Sequence, residues 1–375
     1  MVLVVSQIRF GTCIGPTFKG EKRCSNCVLL TGRFLSLLCR WPAHAAGGGN
    51  LAIRYAGRVM SAAGPRRVPS PARRGPMRFG FHLFMVDPVE FPEIARTADQ
   101  GGWDSIQVAD APFFPEVISV PYPYTPDGTR FWPLDQPVLD PWVAITAMAM
   151  VTERIRFLPS VLRLAVRQPL LEAKSLCSVA AVSGDRVALG VGLAWMPEEF
   201  KWLGQDKKTR GARQDEAIQI IRLLLGGGMV EFHGKYYDFD RLIMAPVPKK
   251  RIPIYVGGTT TPALRRAARH GDGWISVIHD MSEVEGIVAE LNGFRREFGR
   301  EKEPFDIMMH CPDAESVDDI RRLEDLGVTD LQVTPWSERI LAEMGVGAIM
   351  QQQPSLEVKL AAIKRYSDEV IAKFA

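Results

Sequence analysis

Between Arg251 and Ile275 the chain reads RIPIYVGGTTTPALRRAARHGDGWI, and the glycine–threonine run inside it can do chemistry. Ile252–Val256 predicts a short buried strand. Gly257 and Gly258 free the backbone, Thr259–Thr261 offer capping hydroxyls, Pro262 suits a first helical turn, and Ala263–His270 continue as a helix. Gly271-Asp272-Gly273 ends that helix and leads to a second strand at Trp274. Such a helix start combines unpaired N–H groups with the positive end of aligned peptide dipoles, which suits a phosphate. The same residues also make an ordinary tight strand-to-helix turn with a threonine cap. A glycine pair is less specific than a full dinucleotide fingerprint.

The elements that must position this turn alternate from Met77 onward. Strands are predicted at Arg78–Phe84, Asp104–Ala109, Ile155–Val161, Arg186–Gly192, Ile252–Val256, Trp274–Val277, Phe305–His310 and Asp330–Val333. Helices fall between them at Pro88–Gly101, Pro141–Thr152, Gln168–Val182, Arg213–Leu225, Ala263–His270, Ser282–Phe298 and Ser316–Leu326, with a closing helix at Leu356–Phe374. Eight strand–helix units over some 300 residues is the arithmetic of an α/β (β/α)8 TIM barrel with insertions. An open doubly wound sheet is the competitor, but the first turn, Leu83-Phe84-Met85-Val86-Asp87-Pro88, lacks the glycines that fold requires. Two insertions stand out. Met229–Asp240 alternates like a hairpin before the fifth strand. The long loop Pro112–Pro141 follows the second strand and carries Phe113, Phe114, Tyr122, Tyr124, Phe131 and Trp132 among many prolines. Barrel sites form from loops at the strands' carboxyl ends, so this loop is expected over a pocket.

The chain's 375 residues, 46% hydrophobic, can bury a large core. The overall charge of +3 conceals a split: residues 1–76 hold 12 basic residues against Glu21 alone, a net of +11, which leaves −8 on the other 299. A body of that charge has no reason to seek nucleic acid or an anionic membrane. The basic head reads as a disordered extension, arising where the start is assigned too early, with the folded domain spanning 77–375. Its Cys24-Ser-Asn-Cys27 pair with Cys13 and Cys39 is spaced too loosely to argue for zinc, and its interrupted apolar run makes no clean targeting signal. In the body, Cys177 and Cys311 stand far apart, which indicates a reducing, cytoplasmic setting. The dispersed histidines and cysteines argue against a catalytic metal. There is also no GxSxG elbow, HExxH or Walker loop to support hydrolysis.

Several motifs in order carry a family resemblance: Gly102-Trp-Asp-Ser-Ile-Gln-Val-Ala-Asp110, Ser183-Gly-Asp-Arg-Val-Ala-Leu-Gly-Val-Gly-Leu-Ala-Trp195 followed by Glu198-Glu199-Phe200, Arg210-Gly-Ala-Arg213 and Phe232-His-Gly-Lys-Tyr-Tyr237. Through Met77–Trp336 the chain resembles the bacterial luciferase-like monooxygenase superfamily, especially its branch that uses the deazaflavin coenzyme F420. The resemblance implies a barrel that binds a reduced flavin or deazaflavin at the strands' carboxyl ends, in a dimer or larger homo-oligomer. It also suggests a bulged, strained peptide at Ser160-Val161, behind the cofactor ring.

Gly190 and Gly192 then read as positions where a flat ring approaches the backbone, or as a close strand–helix contact. Asp110 ends the second strand, where an acid can meet a cofactor hydroxyl; a histidine commonly follows it in the deazaflavin branch, but here Ala111 follows. His82 and His310 are the imidazoles at strand ends, each weighed against a structural role. Trp195, Trp336, Phe113, Phe114 and Trp132 are the expected pocket walls, while Glu198 and Glu199 fit the start of a helix. The expected chemistry is hydride transfer between F420 and a small, fairly apolar substrate. Gly257, Gly258, Thr259 and Thr260 would hold the phosphate, and His82 or Asp110 would handle the compensating proton. FMN with dioxygen, inserting one oxygen atom, is the alternative. A barrel that only binds a ligand, and a nucleic-acid role for the head, are the non-enzymatic rivals.

Overall fold

The structure, a computed structural model, describes residues 75–125, 127–337 and 354–374. The expectations for the basic head, including its four cysteines, concern residues outside these.

Eight parallel strands form one sheet: β1 (Arg78–His82), β2 (Ser105–Val108), β3 (Arg156–Pro159), β4 (Leu189–Val191), β7 (Ile254–Gly257), β8 (Gly273–Ile278), β9 (Asp306–His310) and β10 (Asp330–Val333). Their order around the sheet is β3-β2-β1-β10-β9-β8-β7-β4. Bridges from Phe157 to Val187 and from Leu162 to Val191 join its two ends, so the sheet closes into the expected TIM barrel. Buried on both faces, these strands read as near-continuous apolar runs, as parallel strands must. The remaining two strands, β5 (Met229–His233) and β6 (Asp238–Ile243), make the antiparallel hairpin inserted before β7. Glu216 anchors its turn by accepting the N–H groups of Lys235, Tyr236 and Tyr237 at 2.9, 2.9 and 3.2 Å.

The helices are α1 (Phe91–Gln100), α2 (Pro141–Ala149), α3 (Pro169–Ser183), α4 (Pro197–Trp202), α5 (Arg210–Leu225), α6 (Thr261–His270), α7 (Met281–Glu297), α8 (Val317–Asp325) and α9 (Leu356–Glu369). Their starts follow local chemistry. Proline occupies an opening position of α1 to α4 and of α6, where its missing N–H costs nothing. Ser316 and Asp319 exchange hydrogen bonds of 3.1 Å in a capping box at α8. The third strand ends at Pro159, two residues earlier than its apolar run predicts, and this early exit shapes the site.

The barrel interior is graded along its axis. At the amino-terminal end Arg78 pairs with Asp330 and, at 2.7 Å, with Asp306, which also accepts the Tyr255 hydroxyl at 2.8 Å. Above this charged floor Leu158, Ala188, Tyr255, Ile275 and Met308 pack into an apolar plug, and Val161 rests on it. The mouth lies beyond.

Candidate functional site

Between the two bridges that join β3 to β4, the segment Pro159-Ser160-Val161 leaves the ladder, and the Ser160–Val161 peptide is cis. The chain rejoins at Leu162, whose N–H donates to the Gly190 carbonyl while its own carbonyl accepts from Gly192, both at 2.8 Å. The neighbouring glycines make this detour possible. A Cβ on Gly190 would overlap the Pro159 carbonyl oxygen, and one on Gly192 would overlap the Val161 side chain. On the other side, a Cβ on Gly257 would stand 2.8 Å from Val161 Cγ1. The space that these glycines leave is therefore filled by the protein itself. They let Val161 settle between β4 and β7, and Ser160-Val161 becomes a partly exposed shelf over the plug.

His82, at the end of β1, borders this shelf. Its Nε2 lies 3.3 Å from the Ser160 carbonyl oxygen. A carbonyl can only accept, so Nε2 carries the proton in that contact. Burial, reinforced by nearby His310, lowers the imidazole from its usual 6.5 to about 4, against the raising effect of the Ser160 bond. Burial lowers His310 as well. Two neutral imidazoles therefore face the mouth near neutral pH.

The Gly257–Thr260 turn adjoins the shelf through Gly257. Gly258 adopts φ 120°, and Trp274 Nε1 donates to its carbonyl at 2.7 Å, bracing the turn from β8. The N–H groups of Thr259 and Thr260 have no acceptor among the described residues, and Thr260, at the cap of α6, makes no side-chain capping bond. Two unpartnered donors therefore stand at the start of α6.

Rings from the long loop connect to His82, which borders the shelf. A continuous series of ring contacts runs from His82 to Phe84 at 6.3 Å, to Trp132 at 5.5 Å, to Tyr122 at 4.9 Å and to Trp195 beyond β4 at 5.3 Å. Phe114 joins at Trp132, at 5.9 Å.

Three of the expected site residues lie elsewhere. Asp110 is held in place: Arg167 grips it through Nη2 at 2.6 Å and Nε at 3.2 Å, and the Arg163 N–H adds 2.7 Å. Its side chain is only 1% exposed. A carboxylate bound this way fixes the 162–167 segment. Trp336 is buried behind β1 against Phe81, at 5.7 Å, because Phe81 points away from the barrel axis. Phe113 pairs with Trp202 on α4, at 5.3 Å, away from the other rings. Conversely, Phe84 and Tyr122 complete the ring series, and fully buried Glu199 pairs with Arg163. The Glu199 pairing exceeds what a helix dipole explains. Nothing in the sequence distinguishes Glu199, which becomes buried, from its neighbour Glu198.

An eight-stranded barrel whose mouth combines a shelf, open helix-start donors and an aromatic roof defines a class of cofactor-binding α/β enzyme. The sequence comparison narrows it: residues 69–314 match the luciferase-like monooxygenase family model, and the chain belongs to that family of oxidoreductases. An uncharacterised protein of Mycobacterium tuberculosis is 38% identical over 297 residues, covering 79% of this chain and 100% of that one. An F420-dependent glucose-6-phosphate dehydrogenase of Nakamurella multipartita is 27% identical over 259 residues, 67% of this chain and 71% of that one. In three dimensions, the F420-dependent tetrahydromethanopterin reductase of Methanopyrus kandleri superposes with a TM-score of 0.60 at 17% identity, covering 80% of this chain and 100% of the reductase. That last likeness is one of fold.

Proposed function

We propose that this chain is a coenzyme F420-dependent oxidoreductase that moves a hydride to or from a small organic substrate beneath the Pro112–Pro141 loop. The observation that carries this reading is the Ser160-Val161 shelf, flanked by His82 on one side and by the open N–H groups of Thr259 and Thr260 on the other. A flat ring suits the shelf and a phosphate suits the donors. The relative named as an F420-dependent dehydrogenase favours the deazaflavin. When bound, that cofactor supplies a two-electron hydride donor or acceptor. The chain's own work is to hold the ring over Val161, bind the phosphate at the start of α6, and exclude water with Trp132, Trp195 and Phe114. His82 would sit at the reacting face as a neutral hydrogen-bonding group, with its Nε2 proton held on Ser160.

FMN with dioxygen, inserting one oxygen atom, remains the second reading, favoured by Ala111 standing directly after Asp110. Titrating the purified protein with F420 and with FMN tests both. Tight F420 binding without oxygen consumption supports the first reading, tight FMN binding with oxygen consumption supports the second, and binding of neither removes both.

We also propose that the enzyme works as a homodimer. Val143, Ala147 and Met150 on and just after α2, with Leu171 and Val182 on adjacent α3, present apolar stripes at helical spacing to solvent. Four of these are more than half exposed: Val143 62%, Met150 67%, Leu171 67% and Val182 51%. Such a patch marks a contact surface. Light scattering should give twice the chain's mass, and Val143→Asp with Leu171→Asp should return the monomer. A monomeric wild type refutes this.

Among the described residues, no helix is long and apolar enough to cross a membrane.

A further inference from the structure

Trp132 is 7% exposed, and its indole nitrogen is fully buried with no hydrogen-bond acceptor among the described residues. Three other buried indoles discharge theirs: Trp103 to Ser367 Oγ at 2.9 Å, Trp142 to Glu172 Oε2 at 2.8 Å, and Trp274 to the Gly258 carbonyl at 2.7 Å. A buried donor without a partner is rare in a folded protein and calls for an explanation. The groups around this one are rings: Tyr122 and Phe131 at 4.9 Å, Phe84 at 5.5 Å and Phe114 at 5.9 Å. Of the arginines near these rings, Arg163 pairs with Glu199, and Arg167 with Asp110 and Glu172. Surroundings of this kind reward an apolar ring, offer the Trp132 indole and the Tyr122 hydroxyl as donors, and make a carboxylate costly to bury.

We infer that the Trp132 indole N–H recognises the substrate. It donates to the single oxygen acceptor of a neutral, ring-bearing molecule whose ring packs against Phe84, Tyr122 and Trp195. This rests on the proposed function for the location of the reacting centre and adds to it the substrate class and the residue that selects it. The indole acts as a fixed hydrogen-bond donor and transfers no proton.

The test uses the full chain labelled with 15N at the tryptophan indoles. The Trp132→Phe variant, which keeps a ring but lacks the N–H, identifies the Trp132 resonance by its loss, and its thermal midpoint confirms that it is folded. Three probes are titrated with and without F420: acetophenone, ethylbenzene (the same ring without the oxygen) and benzoate. Acetophenone should shift the Trp132 resonance downfield and bind about tenfold more weakly to Trp132→Phe, a difference of ~1.4 kcal/mol. Ethylbenzene should bind both proteins equally, and benzoate should bind poorly. An unmoved Trp132 resonance at saturating acetophenone, equal acetophenone affinity for the two proteins, or benzoate binding as well as acetophenone would each overturn the inference. Failure of the protein to bind F420 counts against the proposed function instead, because the Trp132 shift is read independently of cofactor.

Discussion

Replacing His82 with glutamine should change how the protein's stability depends on pH. In the folded chain the imidazole titrates at about 4, whereas in the unfolded chain it titrates near 6.5. Between those values the unfolded state binds a proton that the folded state refuses, so stability rises with pH across the window and falls as pH drops through it. At ~1.36 kcal/mol for each pH unit, the full window corresponds to about 3 kcal/mol. Other groups titrate in the same range, so the comparison must be made against a variant. Glutamine can still donate to the Ser160 carbonyl but carries no titrating proton. Urea unfolding of both proteins at pH 7.5, 6.5, 5.5 and 4.5 provides the measurement. Wild type should lose about 2 to 3 kcal/mol more than His82→Gln between pH 7 and pH 4.5, with no divergence above pH 7. Parallel losses would refute the reasoning, because they would mean that His82 is solvated enough to titrate normally. In that case it could also act as a proton donor near pH 7, which the buried neutral imidazole cannot.

Gly192→Ala should push a methyl into Val161 and tilt the shelf, at a cost of about 1 to 3 kcal/mol; F420 affinity, measured by fluorescence, should fall while the circular dichroism spectrum stays native. Arg167→Met strands the buried carboxylates of Asp110 and Glu172, so thermal or urea unfolding should show a loss of about 3 to 5 kcal/mol. A loss below 1 kcal/mol would show that Asp110 does not depend on that partner. Glu216→Ala removes the acceptor of three hairpin N–H groups, and hydrogen exchange at Lys235–Tyr237 should accelerate at least tenfold, with the barrel strands unchanged.

The barrel was legible because alternation of apolar strands with helices is written locally, residue by residue. The motifs that carry the family resemblance turn out to be mostly joinery. Arg186 donates to the carbonyls of Ala149 and Ile155 at 2.8 and 2.9 Å, and Asp185 accepts the N–H groups of Lys249 and Lys250, each at 3.1 Å. Arg213 reaches the Ala165 carbonyl at 2.7 Å. Such residues hold the barrel's parts together whatever substrate it serves, so they announce the scaffold more strongly than the chemistry. The site was harder to read because its contacts join distant positions. Nothing local to Asp110 signals that Arg167 will close on it, and nothing local to Trp336 signals that Phe81 will cover it. Gly190 and Gly192 were singled out as places where a flat ring, or a packed strand and helix, comes close to the backbone. What could not be read was that Pro159 and Val161, each 31 residues before the glycine it meets, fill the room they leave.

The same long-range pairs make the shelf and its roof a single mechanical unit. Asp110 ties the end of β2 to the 162–167 segment that follows the shelf, and Arg163 ties that segment to Glu199 on α4. The long loop is fastened to the same helix: the Ser119 N–H donates to Glu198 Oε1 at 3.0 Å, and Phe113 lies on Trp202. Tyr122 then meets Trp195 just before α4 begins. A displacement of α4 would therefore carry the aromatic roof and the segment behind Val161 together and preserve the gap between them. Within this frame Arg163 pairs with Glu199, and Arg167 with Asp110 and Glu172. Among the described residues, the polar groups at this mouth include the buried Trp132 indole, the Tyr122 hydroxyl, the two imidazoles, and the N–H groups of Thr259 and Thr260. Selectivity at this mouth then depends on the shape of the gap and the placement of single donors. Substitutions in the frame should alter which molecules fit before they alter how strongly any charge is held.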